Sequence, residues 1–568
     1  MSMRKSVSWA VVPLLASTFV APRVARAVGD EHAMHGMAGM AGADSGAAAP
    51  LFEGLGKYHR SISTKSAQAQ RYFDQGMNFI WGFNLHEAQR SFEQAAKLDP
   101  QSAMAEWGVA MSLGPHFNVP ALPPRTIAAN AHAQQALKLL DGATPIERGL
   151  VEAIAKRYAD PPPSTPEDQK RLDGAYAVAM KGLMDKYPDD MDVAALWCEA
   201  MMDLRPWDLW TTDEKPQPGT VEIIAVLERI LARDPEHPGA NHYYIHAVEP
   251  GPHPEKGLAS AERLKKLDSA IGHLTHMPSH IYHKVGRYED ARAANLRALE
   301  KDKGYETKAN PIQPESFYPM YTAHNAQFLS WTAMTEGKSA DAIRYARASL
   351  EKMPLEMFDM MPGFDIFLAT PYLTYARFGK WDEILAEPAP KKYYPFLAAM
   401  WHYTRGLAYA GKGQLAPAKV EEDSMRTIAA AIPGEATEGN NPAELLLRIA
   451  QSVLGGVVAM KDGRSEEGIR LLEEAVRAED LTHYDEPSDW AYPARHVLGA
   501  ALLKAGRTYE AELVYRADLE RNRENGWALF GLAESLRKQG KNDEAAAVQK
   551  RFAKAWAGAD VKIAASSY

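Results

Sequence analysis

A single cysteine, Cys198, stands in 568 residues. That scarcity excludes an internal disulfide framework and any zinc site built on cysteine pairs. The thiol lies in the apolar run 194–202 and reads as an inert buried group. No segment alternates apolar and polar residues for long enough to form a strand. No basic run occurs either, and the net charge of −9 is spread over interspersed charges of both signs. Nucleic acid and an anionic lipid surface are therefore excluded as partners, because both require a basic face. Nucleophile elbows, phosphate-binding glycine loops and dinucleotide fingerprints are all missing. Past the N-terminus, no apolar stretch reads as long enough to span a membrane.

What remains is a helix-forming chain, rich in alanine, leucine, glutamate and lysine, with 46% apolar residues. Residues 1–27 have the layout of a cleaved leader. Arg4 and Lys5 open it, residues 7–21 are largely apolar, and Ala25-Arg26-Ala27 offers a small-x-small cleavage site. A membrane anchor is the alternative, but the apolar run is short and broken by Pro13. Secretion into the periplasm is the expectation. Residues 28–55 read as a disordered linker, rich in methionine and histidine around His32, Met34, His35, Met37 and Met40. Thioether and imidazole together suit copper. The segment resembles the tails of secreted copper-handling proteins.

The rest of the chain is periodic. Gly76, Ala88, Phe92, Ala95 and Pro100 stand at positions 8, 20, 24, 27 and 32 of a 34-residue frame that starts at Ala69. The frame recurs with Ala291 and Ala298, with Ala342 and Pro354, and with Gly406 and Ala418. It returns with Gly456, Leu472 and Ala475, with Gly499, Ala511 and Tyr515, and with Ala533, Ala545 and Phe552. Between these, residues 144–160, 176–188 and 221–235 read as degenerate helical hairpins. The pattern resembles the tetratricopeptide repeat family, here a secreted bacterial type with a histidine-rich groove. The resemblance implies an all-α, right-handed solenoid of helical hairpins without a sheet. A linear solenoid has no size limit, since each repeat touches only its neighbours. Residues 56–300 would form an N-terminal half and residues 301–560 a C-terminal half.

Six of the 18 histidines fall in two short stretches, 241–249 and 273–283. His242 and His246 are spaced i,i+4, as are His276 and His280, so each pair stacks on one helix face. The resemblance implies that positions 2, 5, 9 and 12 of each first helix line the concave groove. A frame starting at Gly272 puts His273, His276, His280 and His283 at all four positions. The preceding frame, starting at Pro238, puts His242, His246 and Glu249 at positions 5, 9 and 12. The next frame places His324 at position 2. His242, His246, His276 and His280 are expected to form one metal shell, with Glu249, His273, His283 and His324 as further ligands or supporting partners. Pro278 is expected in the first turn of its helix, where a missing N–H costs little.

Any single helical histidine is more often a satisfied core or surface residue than a ligand. Crowding on one face needs a further reason, because protonated neighbours repel and buried neutral ones need partners. Imidazole with carboxylate suits copper, zinc or non-haem iron, and the methionine/histidine tail favours copper. The arrangement is not His-Glu-x-x-His, since Tyr243 occupies the place of the general base. His116 in a long proline-rich loop and His253 on a turn are lesser candidates. Two aromatic, charged loops stand apart: residues 205–210, and residues 484–496 with Asp485, Glu486, Trp490 and His496. Their tryptophans and prolines read first as packing at irregular joints between repeats; loops of this kind also close pockets over a groove. The sequence thus points to a metal-binding groove, a carrier or an oxidative enzyme with unassigned catalytic residues. The alternative is an adaptor whose groove holds a protein or a small molecule.

Overall fold

The computed structural model describes residues 49–309, 318–353, 355–360, 363–391 and 393–568. The leader and the methionine/histidine segment lie outside the described residues. Helices α1 (Ala67–Trp81) and α2 (Leu85–Leu98) form a first hairpin, and α3 (Ala103–Leu113) and α4 (Pro123–Lys138) a second. Then come α5 (Pro145–Ile154), α6 (Pro166–Lys186), α7 (Met191–Met202) and α8 (Thr220–Arg233). The histidine-bearing region is α9 (Pro238–Val248), α10 (Leu258–Leu267), α11 (Gly272–His276) and α12 (Pro278–Lys284). The middle of the chain is α13 (Tyr288–Ala309), α14 (Tyr318–Thr335), α15 (Ser339–Glu351), α16 (Leu355–Met360), α17 (Thr370–Arg377) and α18 (Trp381–Ala386). Four hairpins follow: α19 (Pro395–Gly411) with α20 (Leu415–Ala429), and α21 (Ala443–Lys461) with α22 (Ser465–Glu479). The last two are α23 (Ala494–Lys504) with α24 (Thr508–Arg521), and α25 (Gly526–Lys538) with α26 (Asn542–Ala555).

Local chemistry explains the starts. Ser66, Asn84 and Ser102 accept the N–H of Ala69, Glu87 and Ala105 and so cap α1, α2 and α3. Thr144 and Glu147 form a reciprocal capping box on α5, with Pro145 at its first position. The small repeat residues work by close approach. A Cβ on Gly76 of α1 or Gly108 of α3 would stand 2.5 or 2.3 Å from the Phe92 ring of α2. Gly499 and Gly531 flank Tyr515 in the same way, at 2.4 and 2.1 Å. One ring of a second helix thus wedges between two successive first helices at both ends of the chain.

Most of the buried apolar residues fall in two large clusters, one running from Leu55 to Tyr318 and the other from Ala369 to Val548. The chain curls so that its last repeats reach α12 and α13. Tyr288 donates to the carbonyl of Arg523 at 2.7 Å, and Lys284 lies over the Tyr484 ring at 4.8 Å.

Four local expectations change. Residues 49–55, expected as linker, are packed: Phe52 meets Phe79 edge-on at 5.3 Å, Leu55 is buried, and Gln75 donates to the carbonyl of Pro50. Apolar side chains with a ready partner overrode the polar composition around them. Residues 144–235 form four helices, α5 to α8, each packed on the next as in helical hairpins, with α7 in a stretch that the three expected hairpins left out, and hold no β-domain. A two-residue ladder does occur, Thr437–Glu438 against Asn441–Pro442. Helix α21 is long and apolar enough to cross a membrane, with a mean hydropathy of 1.5, which the sequence reading passed over. Its Leu446, Ile449, Val453 and Leu454 are buried in the second core, so its all-round apolarity reflects packing between hairpins.

Candidate metal centre

Helix α9 begins at Pro238 and α11 at Gly272, the two frame starts. His237 caps α9, its Nδ1 accepting the N–H of Ala240 at 3.1 Å while Nε2 meets Asp192. Pro278 is the first residue of α12, the first-turn place expected for it. It interrupts the run after α11 and removes the bond that its N–H would have given Leu274. Met277 stays helical at φ −49°, so the two pieces form one kinked helix with histidines on both sides of the kink.

The expected single shell of His242, His246, His276 and His280 resolves into two groups of three. His242, His246 and His273 form one, with ligand-capable atoms all within 4.8 Å of one another. His276, His280 and His324 form the other under the same limit. His273 reaches back to α9, while His276 and His280, one from each side of the kink, turn to His324 on α14. The groups are adjacent, with the rings of His246 and His280 5.9 Å apart and those of His273 and His276 5.8 Å apart.

Hydrogen bonds fix which nitrogen faces inward. His242 Nδ1 lies 2.6 Å from the carbonyl of Trp81, which can only accept, so the proton sits on Nδ1 and Nε2 is a bare lone pair. That Nε2 is buried and has no partner. His276 Nδ1 faces the side-chain oxygen of Asn295, whose amide nitrogen is turned away to the carbonyl of Ala291. His280 Nδ1 sits 3.1 Å from Glu249 Oε1 and 3.2 Å from Glu486 Oε2. The Nε2 atoms of His276 and His280 therefore meet at 2.6 Å, and that of His324 lies 3.0 Å from His276. Both ring nitrogens of His246 and of His273 are buried without partners.

Burial sets the electrostatics. It pushes His242 and His324 down to about 4, and holds His246, His273, His276 and His280 well below the usual imidazole value. Neighbouring imidazoles add to the depression in the last four. A third group joins His246 to Glu249 and Glu486 within 4.8 Å. Burial, and then the Glu249 carboxylate beside it, raise Glu486 well above the carboxylate range. Tyr484 donates to Glu486 Oε1 at 2.6 Å.

An aromatic wall encloses the rings. Phe83 has φ +56°, a left-handed backbone that is rare for a bulky side chain. Its ring lies 4.4 Å from His242, 4.7 Å from His116 and 5.7 Å from His273. Trp207, at φ +62°, stacks on Phe117, whose ring is 5.2 Å from His246. Strain held at two rings facing one cluster is a mark of a functional site. His116 is buried against this wall and is pushed down to about 3, by burial first and then by Arg125 and Arg157.

Three candidates stand elsewhere. His283 stacks on Trp331 at 3.6 Å and joins neither group. His253 is exposed beside Glu255. His496, also at a groove position, is fully satisfied: Arg377 donates to its Nδ1 and its Nε2 meets Asp518, both at 2.9 Å. Glu486 is the partner that the sequence did not bring to the cluster, although its loop stood out. Asn295 and the Trp81 carbonyl had no sequence signal, because one is a common helix residue and the other is backbone.

Residues 496–560 match the family model described as tetratricopeptide repeat. Helices α23 to α26 are tetratricopeptide repeats. Similar solved structures include the human IFIT1 dimer with m7Gppp-AAAA, at 11% identity and TM-score 0.33, covering 87% of this chain and 91% of that one. Yeast Tom70 is similar at 12% identity and TM-score 0.27, covering 86% of this chain and 90% of that one. Scores this low carry no argument about ligand or partner. A search of curated proteins finds no match.

Proposed function

We propose that this helical-repeat protein binds transition metal in the buried histidine cluster, with one ion for each group of three imidazoles. The facing lone pairs carry the reading. Buried imidazole nitrogens that point at one another need a cation between them. Burial has lowered the affinity of these rings for a proton, so a proton fills the place poorly and a metal ion fills it well. Acceptors for Nδ1–H that orient Nε2 inward are the supports that metal-bound histidines use. His242, His246 and His273 would hold one ion, and His276, His280 and His324 the other, with Glu249 completing or supporting either.

Copper is the favoured ion, on the imidazole donors and on the methionine/histidine segment after the leader, which would place the mature chain in the periplasm. Zinc and non-haem iron accept the same donors. A redox-active ion with an open position would make the centre an oxidative site, and a closed shell would make it a carrier. The repeat match supports a second reading, an adaptor whose groove holds a partner without metal. Metal analysis of protein purified without a histidine tag separates the two. About two ions per chain are expected after loading, with most of that metal lost in His246→Ala/His280→Ala at unchanged helix content. Undiminished metal in the double variant, or none in the parent, sinks the metal reading.

A further inference from the structure

The histidines of the centre all lie between α9 and α14, in the first part of the chain. Glu486 does not. It sits in the connection from α22 to α23, and Trp490 of the same loop is buried in the second core. Its carboxylate nevertheless points into the cluster, 3.2 Å from His280 Nδ1 and 3.7 Å from His246 Nδ1. Both side chains of the longer pair are almost fully buried, at 1% and 3% exposure. The same His246 has no hydrogen-bond partner on either nitrogen. A buried imidazole without partners beside two buried carboxylates is a donor set that lacks its cation.

We propose that Glu486 is a metal ligand shared across the joint, so that filling the histidine centre fastens the C-terminal repeats onto α9–α13. The inference rests on the metal reading above and adds which distant residue completes the site and what its binding does to the fold. Elsewhere this joint is held by scattered contacts, among them Lys284 over the Tyr484 ring and Trp207 stacked on that ring at 6.5 Å. Arg523 pairs with Glu255 where both side chains are about two-fifths exposed, and such a pair contributes little in water. Tyr288 adds one hydrogen bond to the Arg523 carbonyl. At the middle of the joint Glu249 and Glu486 face each other, and as two carboxylates they would repel. A divalent ion between them turns that repulsion into attraction. Tyr484 supports the ligand by donating to Glu486 Oε1, leaving Oε2 toward His280.

Hydrogen exchange on the full chain tests this, with and without Zn²⁺ and, separately, Cu²⁺. In the parent protein either ion should slow exchange across residues 483–490 and 205–210 by about tenfold or more, as a joint that opens locally becomes held. Glu486→Gln should still take up metal on its histidines yet lose that protection. Glu486→Asp, which keeps the charge on a shorter arm, should fall between the two; it serves as the test if the glutamine variant does not fold. A parent that binds metal without protecting these loops overturns the shared ligand while leaving the metal reading intact. So does a Glu486 variant protected as fully as the parent. A parent that takes up neither ion overturns both.

Discussion

His246 and His496 both stand at groove positions of the repeat frame, the ninth and the fifth, and both are buried. The difference lies in their partners. His496 accepts from Arg377 on one nitrogen and meets Asp518 on the other, so its burial is balanced by two charge-assisted contacts. His246 has neither nitrogen satisfied and lies beside the imidazoles of His242, His273 and His280 and two carboxylates. Position in the repeat and depth of burial are therefore poor guides to ligation. What separates a structural histidine from a candidate ligand is whether the fold has already supplied its hydrogen bonds.

The comparison is broken most sharply by removing the satisfied ring. His496→Ala should leave metal content unchanged while costing about 3 kcal/mol of stability, because Asp518 and Arg377 stay buried with a partner lost. Denaturant unfolding and metal analysis on the same sample read both sides, and a fall in bound metal would put His496 in the centre after all. A smaller effect is expected from the second layer. Asn295→Ala frees the orientation of His276 and should weaken metal binding by about 10- to 100-fold, as read by competition with a chelator. Unchanged affinity would show that the 276/280/324 group is not a ligand set.

Per pH unit, the smallest effect is the pH dependence of the metal-free protein. His242 is pushed down to about 4 in the folded chain, against about 6.5 when unfolded. Between those values the unfolded state binds the extra proton, so stability is complete above about 6.5 and falls as the pH drops toward 4. The slope for this one ring is about 1.4 kcal/mol per pH unit at most. Urea unfolding at stepped pH measures it. Metal should flatten the curve above the pH at which the ligands protonate. His242→Phe should remove one proton from the slope, and a slope unaltered by that change would mean the ring is not held neutral.

Much of the fold could be read in advance because its signals are local. Gly76, Phe92, Gly499 and Tyr515 mark the close approaches that a repeat needs, and those contacts form within two neighbouring hairpins. The two i,i+4 histidine pairs were equally local, and so was the placing of seven ligand-type residues on α9, α11 and α12 or at their ends. The division into triads was not local. It depends on which rings of α9 and α14 the fold sets beside α11 and α12.

Sequence by itself determined the helical repeat, the faces on which histidines crowd, and the scarcity of cysteine that confines the donors to imidazole and carboxylate. Periodicity and composition are enough for these, since backbone hydrogen bonds and side-chain spacing act over a few residues. Tertiary structure alone decided that Glu486 stands 3.2 Å from His280, more than two hundred residues away along the chain. It alone set the Trp81 carbonyl and Asn295 behind the inward-facing rings, and it alone sent His496 to Arg377 and Asp518. Those pairings follow from the curl of the whole solenoid, a sum of small rotations per repeat that no single stretch of sequence contains.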